Sequence, residues 1–260
     1  MKKKLLVIVI AVIAIITVSI VFASCKGQTG KESSLLELKT IVSGVMTVGS
    51  DCTWPPMEYM EGDKIVGFDV DLAGAIADRL GLKLDYQNTA WDGLFTALIA
   101  HKYDMAISSI TITDDRKKEM DFSDPYYKTD QAATSKEDSG IDSVEKLNGK
   151  IAGVQIGTTG ELAARDIEGL NVQTYDDILL AFEDLKAGRI DTVIADSYVG
   201  FAYAKNNKGL AVSFVIPTDE ELGIAFAKDT PELVAAVNTA LKSVKDDGTY
   251  DEIFEKWFGK

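Results

Sequence analysis

The sequence predicts an α/β fold built from two lobes, and three observations support this. Short apolar segments alternate with segments in which apolar residues recur at helical spacing, an order typical of parallel strands with helical crossovers. This pattern occurs once before residue 127 and begins again after residue 143. Two extended segments, near 127–131 and 222–227, join the two blocks, and two crossings between lobes allow a hinge.

The first segment of the chain predicts export from the cytoplasm. Three lysines at positions 2–4 precede an apolar run at 5–22, and small residues lie immediately before Cys25. A basic start, an apolar stretch and small residues before a cleavage point are typical of a secretory signal. The segment also resembles a bacterial lipobox, in which the cysteine is lipidated, although Phe22 stands where leucine is usual.

We therefore expect residues 1–24 to be a signal peptide, Cys25 to carry a lipid, and residues 25–37 to form a flexible tether. Because the apolar run is long for a signal, an uncleaved membrane anchor is the alternative. Both interpretations place the globular part outside the cytoplasm, held at the outer face of the cell membrane.

The composition excludes several classes of function. The net charge of −14 repels phosphate backbones, so we expect no nucleic-acid partner. Lipidation of Cys25 would leave Cys52 alone, without a disulfide or a cysteine pair for zinc. The single histidine, His101, ends an apparent helix, and no phosphate-binding glycine loop or nucleophile motif is present. We expect no catalytic residue, metal or cofactor.

The elements of the first block place polar and aromatic side chains at strand ends. A strand at 45–49 leads into a proline-stiffened loop that contains Asp51 and Trp54. A helix follows at 70–80, then a strand at 82–86, a helix that opens at Trp91, and a strand at 104–108. Ligands bind at the carboxyl ends of strands in open α/β sheets, so these residues are candidate walls of a site. Aromatic residues that cover an edge of the core are the alternative.

The segment at 108–116 gives the strongest signal for a site, because it joins a buried strand to a helix. Ser108, Ser109 and Thr111 supply hydroxyls, and Arg116 supplies a rigid fork of donors that matches a carboxylate. The segment predicts a pocket that holds a small molecule by its carboxylate. A polar loop with an exposed arginine is the alternative.

The second block repeats the arrangement. A strand at 151–155 ends at Gln155, and Thr159 precedes a helix whose free N–H groups attract anions. A later strand at 191–195 ends in Asp196, which is a candidate partner for an ammonium group. Thr159 and Asp196 also fit the ordinary role of helix caps. Strands at 172–175 and 210–216 complete the block, and helices that begin near 230 and 249 follow the second crossing between the blocks.

Several separated motifs resemble the extracellular solute-binding proteins of polar amino-acid ABC transporters. They are GFDVDL at 67–72, SSITITDDR at 108–116, DFSDPYY at 121–127 and GTY at 248–250, and the resemblance covers about residues 40–259. It implies a periplasmic-binding-protein type II fold, with two Rossmann-like lobes joined by a two-segment hinge and the ligand in the cleft between them. Lobe 1 would comprise residues 38–127 and 223–260, and lobe 2 residues 128–222.

The resemblance implies a role for each candidate residue at the α-amino-acid end of the ligand. Arg116 would clamp the α-carboxylate, helped by the backbone at Thr111 and Thr159. Asp196 would bind the α-ammonium with the help of Ser109. A zwitterion would thus bridge the two lobes and favour their closure.

The resemblance also implies where the side chain of the ligand lies. Trp54 and Trp91 match the aromatic positions that sandwich this side chain, and Asp51, Ser108 and Gln155 line its end. A monomer that delivers a small-molecule ligand to an ABC transporter permease is expected.

The sequence departs from the family pattern in ways that affect ligand identity. Trp54 stands where tyrosine or phenylalanine is usual, Gly160 lacks a side chain where some binders of basic amino acids have a polar one, and a frequent small-lobe disulfide is absent. The Trp54 face with Asp51 and Glu58 nearby favours a cationic side chain, so arginine or lysine is predicted.

Glutamine or cystine is the alternative ligand, because Gln155 and Ser108 suit an amide equally well. A dehydratase-type enzyme on the same fold is a less favoured reading, since it needs an acid/base group and His101 is expected outside the cleft. A sensor domain is also disfavoured, because no signalling segment follows in this chain.

Overall fold

The computed structural model describes residues 38–259 of the chain. The predicted signal peptide, Cys25 and the predicted tether at 25–37 lie outside these residues. Within the described part, no helix is long and apolar enough to cross a bilayer.

The elements alternate between strands and helices along the chain. The strands are β1 Val45–Ser50, β2 Thr53–Trp54, β3 Glu58–Glu61, β4 Lys64–Val66, β5 Lys83–Asn88, β6 Met105–Ala106, β7 Met120–Phe122, β8 Tyr127–Lys136, β9 Ile151–Gln155, β10 Asn171–Tyr175, β11 Thr192–Asp196, β12 Leu210–Leu222 and β13 Ala225–Ala227. The helices are α1 Phe68–Arg79, α2 Trp91–Ile99, α3 Arg116–Glu119, α4 Thr159–Arg165, α5 Ile178–Ala187, α6 Ser197–Asn206, α7 Pro231–Asp246 and α8 Thr249–Phe258, with a 3-10 turn at Val144–Leu147.

Two five-stranded sheets organise the described residues into two lobes. The first sheet has the order β5-β1-β6-β13-β7, and the second has the order β10-β9-β11-β8-β12. A small sheet of β2, β3 and β4 accompanies the first. The central strands pair in parallel, β1 with β5 and β6, and β9 with β10 and β11. The carboxyl ends of these strands carry most of the residues predicted for the site.

Both sheets are mixed, although the βα order predicts parallel strands throughout. β13 runs antiparallel to β6 and β7, and β8 runs antiparallel to β11 and β12. The reason is that the chain passes between the lobes twice. The strands that follow these passages, β8 and β13, enter their sheets in the direction opposite to that of the central strands. β8 and β12 pair with each other from Tyr127 opposite Leu222 to Lys136 opposite Leu210.

The single strand predicted at 222–227 is divided between the two sheets. β12 ends at Leu222 and β13 begins at Ala225, so the chain turns at Gly223. The N–H of Gly223 donates to the carbonyl oxygen of Ile110 at 2.9 Å, and a Cβ on Gly223 would lie 2.7 Å from Ile112 Cδ1. The close approach of the 110–112 segment therefore ends one strand and leaves room only for glycine.

Each lobe has its own apolar core. In the first lobe the residues of one buried cluster come from α2, β6, β13 and the segments beside them: Trp91, Leu94, Leu98, Ala106, Ile110, Met120 and Ala225. In the second lobe a cluster comes from the central strands and α4: Ala133, Ile141, Leu147, Ala152, Val154, Ala164 and Ile194. Burial of such side chains stabilises each sheet against its helices by roughly 1.5–3 kcal/mol per large residue.

Gly67 lets helix α1 pack closely on the loop that carries Trp54. Its φ of +143° is unfavourable for other residues, and a Cβ there would lie only 2.0 Å from the carbonyl oxygen of Met57. The next two N–H groups, of Phe68 and Asp69, donate to the carbonyl oxygens of Pro56 and Met57 at 3.0 and 2.9 Å. These contacts fix the loop at the edge of the first sheet.

Candidate functional site

A small cavity between the two lobes gathers most of the residues predicted for the site. Its lining consists of Trp54, Trp91, Ser108, Ser109, Thr111, Arg116, Thr158, Thr159 and Asp196. Asp51 and Gln155 adjoin it through hydrogen bonds to each other and to Trp54. The space that the centre of a water molecule can occupy is only about 10 Å³, because side chains from both lobes meet here.

Larger depressions lie elsewhere in the described residues, including one of about 690 Å³ beside α7 and one of about 710 Å³ beside the start of β12. They are more open than the small cavity. Size alone does not identify a binding site, whereas convergent buried polar groups with perturbed pKa values are its usual mark. The small cavity has these groups, and we take it as the candidate site.

Arg116 is held in place from both lobes. Its backbone N–H donates to the hydroxyl of Thr113, which lies just before the short helix α3, at 3.1 Å. Its Nη1 donates to the carbonyl oxygen of Thr111 at 2.9 Å, and its Nη2 donates to that of Gly157, in the second lobe, at 3.2 Å. The guanidinium carbon lies 5.3 Å from the centre of the Trp91 ring, within cation–π range.

The guanidinium of Arg116 remains a cation at neutral pH despite its environment. Burial lowers its pKa to about 10, while the carboxylates of Glu220 and Asp196 raise it again. A fixed cation with spare donors, partly shielded from water, attracts a carboxylate more strongly than an exposed arginine does.

Asp196 supplies negative charge to the same cavity from the second lobe. It ends β11, is almost fully buried, and accepts hydrogen bonds from Gln131 Nε2 at 3.2 Å and from the Tyr198 hydroxyl at 3.3 Å. Burial, and then the neighbouring Glu220, raise the pKa of Asp196 well above its usual range, although Tyr198, Arg116 and Gln131 act in the opposite direction. A buried acid of this kind ionises most readily when a cation is placed beside it.

A second polar group closes the other end of the site across the two lobes. The indole Nε1 of Trp54 donates to Gln155 Oε1 at 2.8 Å, and Gln155 Nε2 donates to Asp51 Oδ2 at 2.7 Å. Gln155 also donates to the carbonyl oxygen of Asp176 at 2.9 Å, which fixes the orientation of its amide. Tyrosine or phenylalanine at position 54 has no indole N–H for this contact.

Burial raises the pKa of Asp51 to about 6, while its hydrogen bond from Gln155 lowers it. The carboxylate is therefore charged at neutral pH, at a cost to the folded state. A cation bound beside it would relieve this cost.

Ser108 and Ser109 rest on two buried acids, Glu58 and Asp69, of which the sequence-based prediction had considered only Glu58. The hydroxyls of the serines lie 3.4 and 3.3 Å from the two carboxyl oxygens of Glu58, and the N–H of Ser109 donates to Asp69 Oδ2 at 3.1 Å. Ser109 has a left-handed backbone with φ of +51°, which the bond to Asp69 holds in place.

Burial raises the pKa of both acids, of Asp69 to about 6 and of Glu58 well above its usual range, with the charge of Asp69 as the second cause for Glu58. Glu58 contacts the hydroxyls of both serines, and the sequence-based interpretation that it attracts the ligand side chain stays a prediction. Asp69 belongs to the GFDVDL motif, and this motif is the sequence signal that could have identified it as a residue of the site.

Gln131 and Glu220, which form hydrogen bonds to the lining residues Thr111, Thr159 and Asp196, were also missed. They lie on β8 and β12, where the two strands cross between the lobes. Gln131 Nε2 donates to Glu220 Oε1 at 3.0 Å, and a Cβ on Gly160 would lie 2.9 Å from Gln131 Oε1. This Cβ would also lie 3.1 Å from the carbonyl oxygen of Ile194, so little space remains for a side chain at position 160.

His101 lies away from the cavity, exposed at the end of α2, with its Nε2 3.3 Å from Asp229 Oδ1. Among the described residues, no cluster of histidine, cysteine, aspartate or glutamate has the arrangement of a metal site.

Comparison with known proteins shows the family of the chain. The family model for bacterial extracellular solute-binding proteins, family 3, matches residues 46–260. The chain belongs to this family. It is 36% identical over 265 residues to the arginine-binding extracellular protein ArtP of Bacillus subtilis, across 99% of this chain and 98% of that protein. It is 37% identical to the L-cystine-binding protein TcyJ of Escherichia coli, across 83% of each chain.

A solved structure gives the same fold. The arginine-, lysine-, histidine-binding protein ArtJ of Geobacillus stearothermophilus superposes with a TM-score of 0.79 at 42% identity, across 83% of this chain and 96% of that one. The two-lobed α/β fold predicted from the sequence is thereby confirmed, and the relatives are binding proteins of the extracellular family.

Proposed function

We propose that this protein binds a polar L-amino acid outside the cytoplasm and delivers it to the permease of an ABC transporter. The observation that supports this most directly is the placement of Arg116 and Asp196, which come from different lobes, in one enclosed cavity. An α-amino acid carries the two complementary charges on adjacent groups. Its binding would favour the closed arrangement of the lobes, because only that arrangement offers both contacts.

A basic side chain, arginine or lysine, is the ligand that the charges favour. Asp51, Asp196 and Glu220 are three carboxyl groups at or beside the cavity, and Arg116 is the one cation among its lining residues. A ligand with net positive charge offsets this imbalance better than a neutral one. Glutamine or cystine remains the second candidate, supported by the Gln155 amide and by the similarity to the cystine-binding relative.

The division of the chain follows from the same proposal. We place lobe 1 at residues 38–127 and 223–260 and lobe 2 at residues 128–222, with the hinge where the chain crosses between them. Residues 1–24 would be a signal peptide, and Cys25 would carry the lipid that holds a monomer at the outer face of the membrane. The residues in the cavity bind and orient the ligand without converting it.

A thermal-shift screen of the full-length protein in mild detergent against the twenty L-amino acids and cystine tests the proposal. A ligand at a hundred times its Kd stabilises the folded state by about 2.7 kcal/mol, which raises the Tm by roughly 5–10 °C for a protein of this size. The largest rise is expected with arginine or lysine. If glutamine or cystine raises the Tm most, the protein still binds an amino acid, but the predicted preference for a basic side chain is wrong.

Arg116→Ala separates specific binding from general stabilisation. Truncating one partner of a desolvated charge pair costs about 2–5 kcal/mol, so the affinity should fall by a factor of at least about 30. Arg165→Ala, on the exposed face of α4, is the matched control, since Arg165 pairs only with Glu161 on the same helix. Unchanged affinity in Arg116→Ala would refute the proposed function.

A further inference from the structure

Glu220 lies behind Thr111 and Thr159, two residues that line the cavity, and accepts hydrogen bonds from both lobes. Its Oε2 accepts from the hydroxyl of Thr111, in the first lobe, at 2.6 Å, and from the hydroxyl of Thr159, in the second lobe, at 2.8 Å. Its Oε1 accepts from Gln131 Nε2 at 3.0 Å. The residue is only 8% exposed, so these three bonds replace water around its carboxylate.

The bonds to Glu220 determine how the two threonines can bind a ligand. A hydroxyl has one hydrogen to donate and two lone pairs to accept with. The two oxygens, Thr111 Oγ1 and Thr159 Oγ1, also lie 3.2 Å apart, but a carboxylate attracts a hydroxyl proton more strongly than a second hydroxyl does. With both protons turned toward Glu220, both hydroxyls present only lone pairs to the cavity.

One side of the cavity is consequently lined by acceptors. The carboxyl oxygens of Asp196 lie on this side with the two hydroxyls, and Gln131 Nε2 reaches Asp196, Glu220 and Thr159 from below at 3.0–3.4 Å. An ammonium group has three donors and no acceptor, so it matches this surface. A carboxylate would meet the lone pairs of both threonine hydroxyls there.

We propose that Glu220 is a positioning residue that sets the polarity of the site. By holding the protons of Thr111 and Thr159, it makes both hydroxyls acceptors and selects ligands that carry an α-ammonium group at this end. The proposal rests on the proposed function, because it concerns the recognition of an amino acid in this cavity. It assigns to Glu220 the discrimination between an α-amino acid and the corresponding carboxylic acid without the amino group.

Glu220→Gln tests the proposal, because an amide of the same shape can donate to one threonine and turn its proton toward the cavity. Isothermal titration calorimetry on the full-length protein in mild detergent would compare L-arginine with δ-guanidinovalerate, which lacks only the α-ammonium. The same comparison with L-glutamine and its deamino acid applies if glutamine is the better ligand.

We expect the variant to bind the amino acid about 10- to 100-fold more weakly than wild type does, because this is the usual contribution of a hydrogen bond to a charged group. It should bind the deamino acid no more weakly than wild type does. The preference for the amino acid therefore falls at least about 10-fold.

Glu221→Gln is the matched control on the same strand, because the exposed Glu221 carboxylate pairs with Lys128 at 3.0 Å outside the cavity. It should leave the preference unchanged. A purely structural role of Glu220 would weaken both ligands equally, and that result, or no change, would overturn the proposal. If the wild-type protein binds no amino acid at all, the proposed function is wrong. If the wild type binds an amino acid but Glu220→Gln leaves its preference unchanged, only the role of Glu220 is wrong.

Thr111→Val provides the same test if Glu220→Gln does not fold. It removes one of the two hydroxyls while keeping the shape of the side chain. We expect it to weaken the amino acid more than the deamino acid. Equal weakening of both ligands would count against the proposal.

Discussion

Replacing Asp51 by asparagine should stabilise the ligand-free protein at neutral pH. The carboxyl group is 4% exposed, and its pKa rises from 3.8 to about 6, mainly because of burial. The folded state therefore holds this proton more tightly than the unfolded chain does. Below about pH 4 Asp51 is protonated in both the folded and the unfolded state, and the folded protein keeps its full stability. As the pH rises through about 6, the folded state is destabilised relative to the unfolded chain, which ionises this group more readily.

The expected size of the effect follows from the same shift. Ionising Asp51 is about a hundredfold less favourable in the folded protein, and each factor of ten corresponds to about 1.4 kcal/mol, so the charged carboxylate weakens the folded state by up to about 3 kcal/mol. Asparagine avoids this loss. Its oxygen can still accept from Gln155 Nε2, and its amide nitrogen can donate to the hydroxyl of Thr53, which now donates to Asp51 at 3.1 Å.

The assay is urea unfolding of ligand-stripped wild type and Asp51→Asn, followed by tryptophan fluorescence at about pH 4 and about pH 8. The two proteins should be nearly equally stable at the lower pH, and the variant more stable at the higher pH by up to about 3 kcal/mol. Asp63→Asn, in the exposed turn between β3 and β4, controls for the removal of one negative charge. A stability difference that is the same at both pH values would refute the reasoning.

Two further predictions concern the other end of the cavity and the fold. Because burial raises the pKa of Asp196 and a bound ammonium would lower it, ligand binding should release a proton and should tighten as the pH rises, until Asp196 is ionised in the free protein too. Calorimetry in two buffers of different ionisation enthalpy measures this, and an absence of proton release would contradict it. Gly67→Ala should destabilise the protein by about 3 kcal/mol or more through the clash with Met57, whereas Gly62→Ala, also at positive φ but in open space, should cost about 1–2 kcal/mol. Equal urea midpoints for the two variants would show the clash to be harmless.

The order of strands and helices could be predicted from the sequence, because hydrophobic periodicity reports which face of each element is buried. Arg116 and Asp196 could be singled out for a related reason, since polar residues at strand ends occur where α/β sheets bind ligands. The parallel central strands followed from the same pattern. The antiparallel edges did not, because strand direction at a crossing between lobes depends on the path of the whole chain.

The residues that support the ligand contacts could not be predicted in this way. Glu220 meets Thr111 across 109 positions of sequence, and Asp69 meets Ser109 across 40. Neither pair follows from local spacing, since only the tertiary fold brings their elements together. Gly160 illustrates the same limit, because its closeness to Gln131 and to the carbonyl oxygen of Ile194 is visible only in the tertiary fold.

The two ends of the cavity are built from separate groups of residues. Under the proposed function, Arg116 and Asp196 would face the part that every α-amino acid shares, whereas Asp51, Trp54 and Gln155 form their own cross-lobe contacts at the other end. Substitutions in the second group can therefore change the ligand specificity during evolution, while Arg116 and Asp196 would continue to recognise the part common to all amino acids. The arginine, cystine and histidine named for the relatives are the kind of ligand diversity that such independence permits.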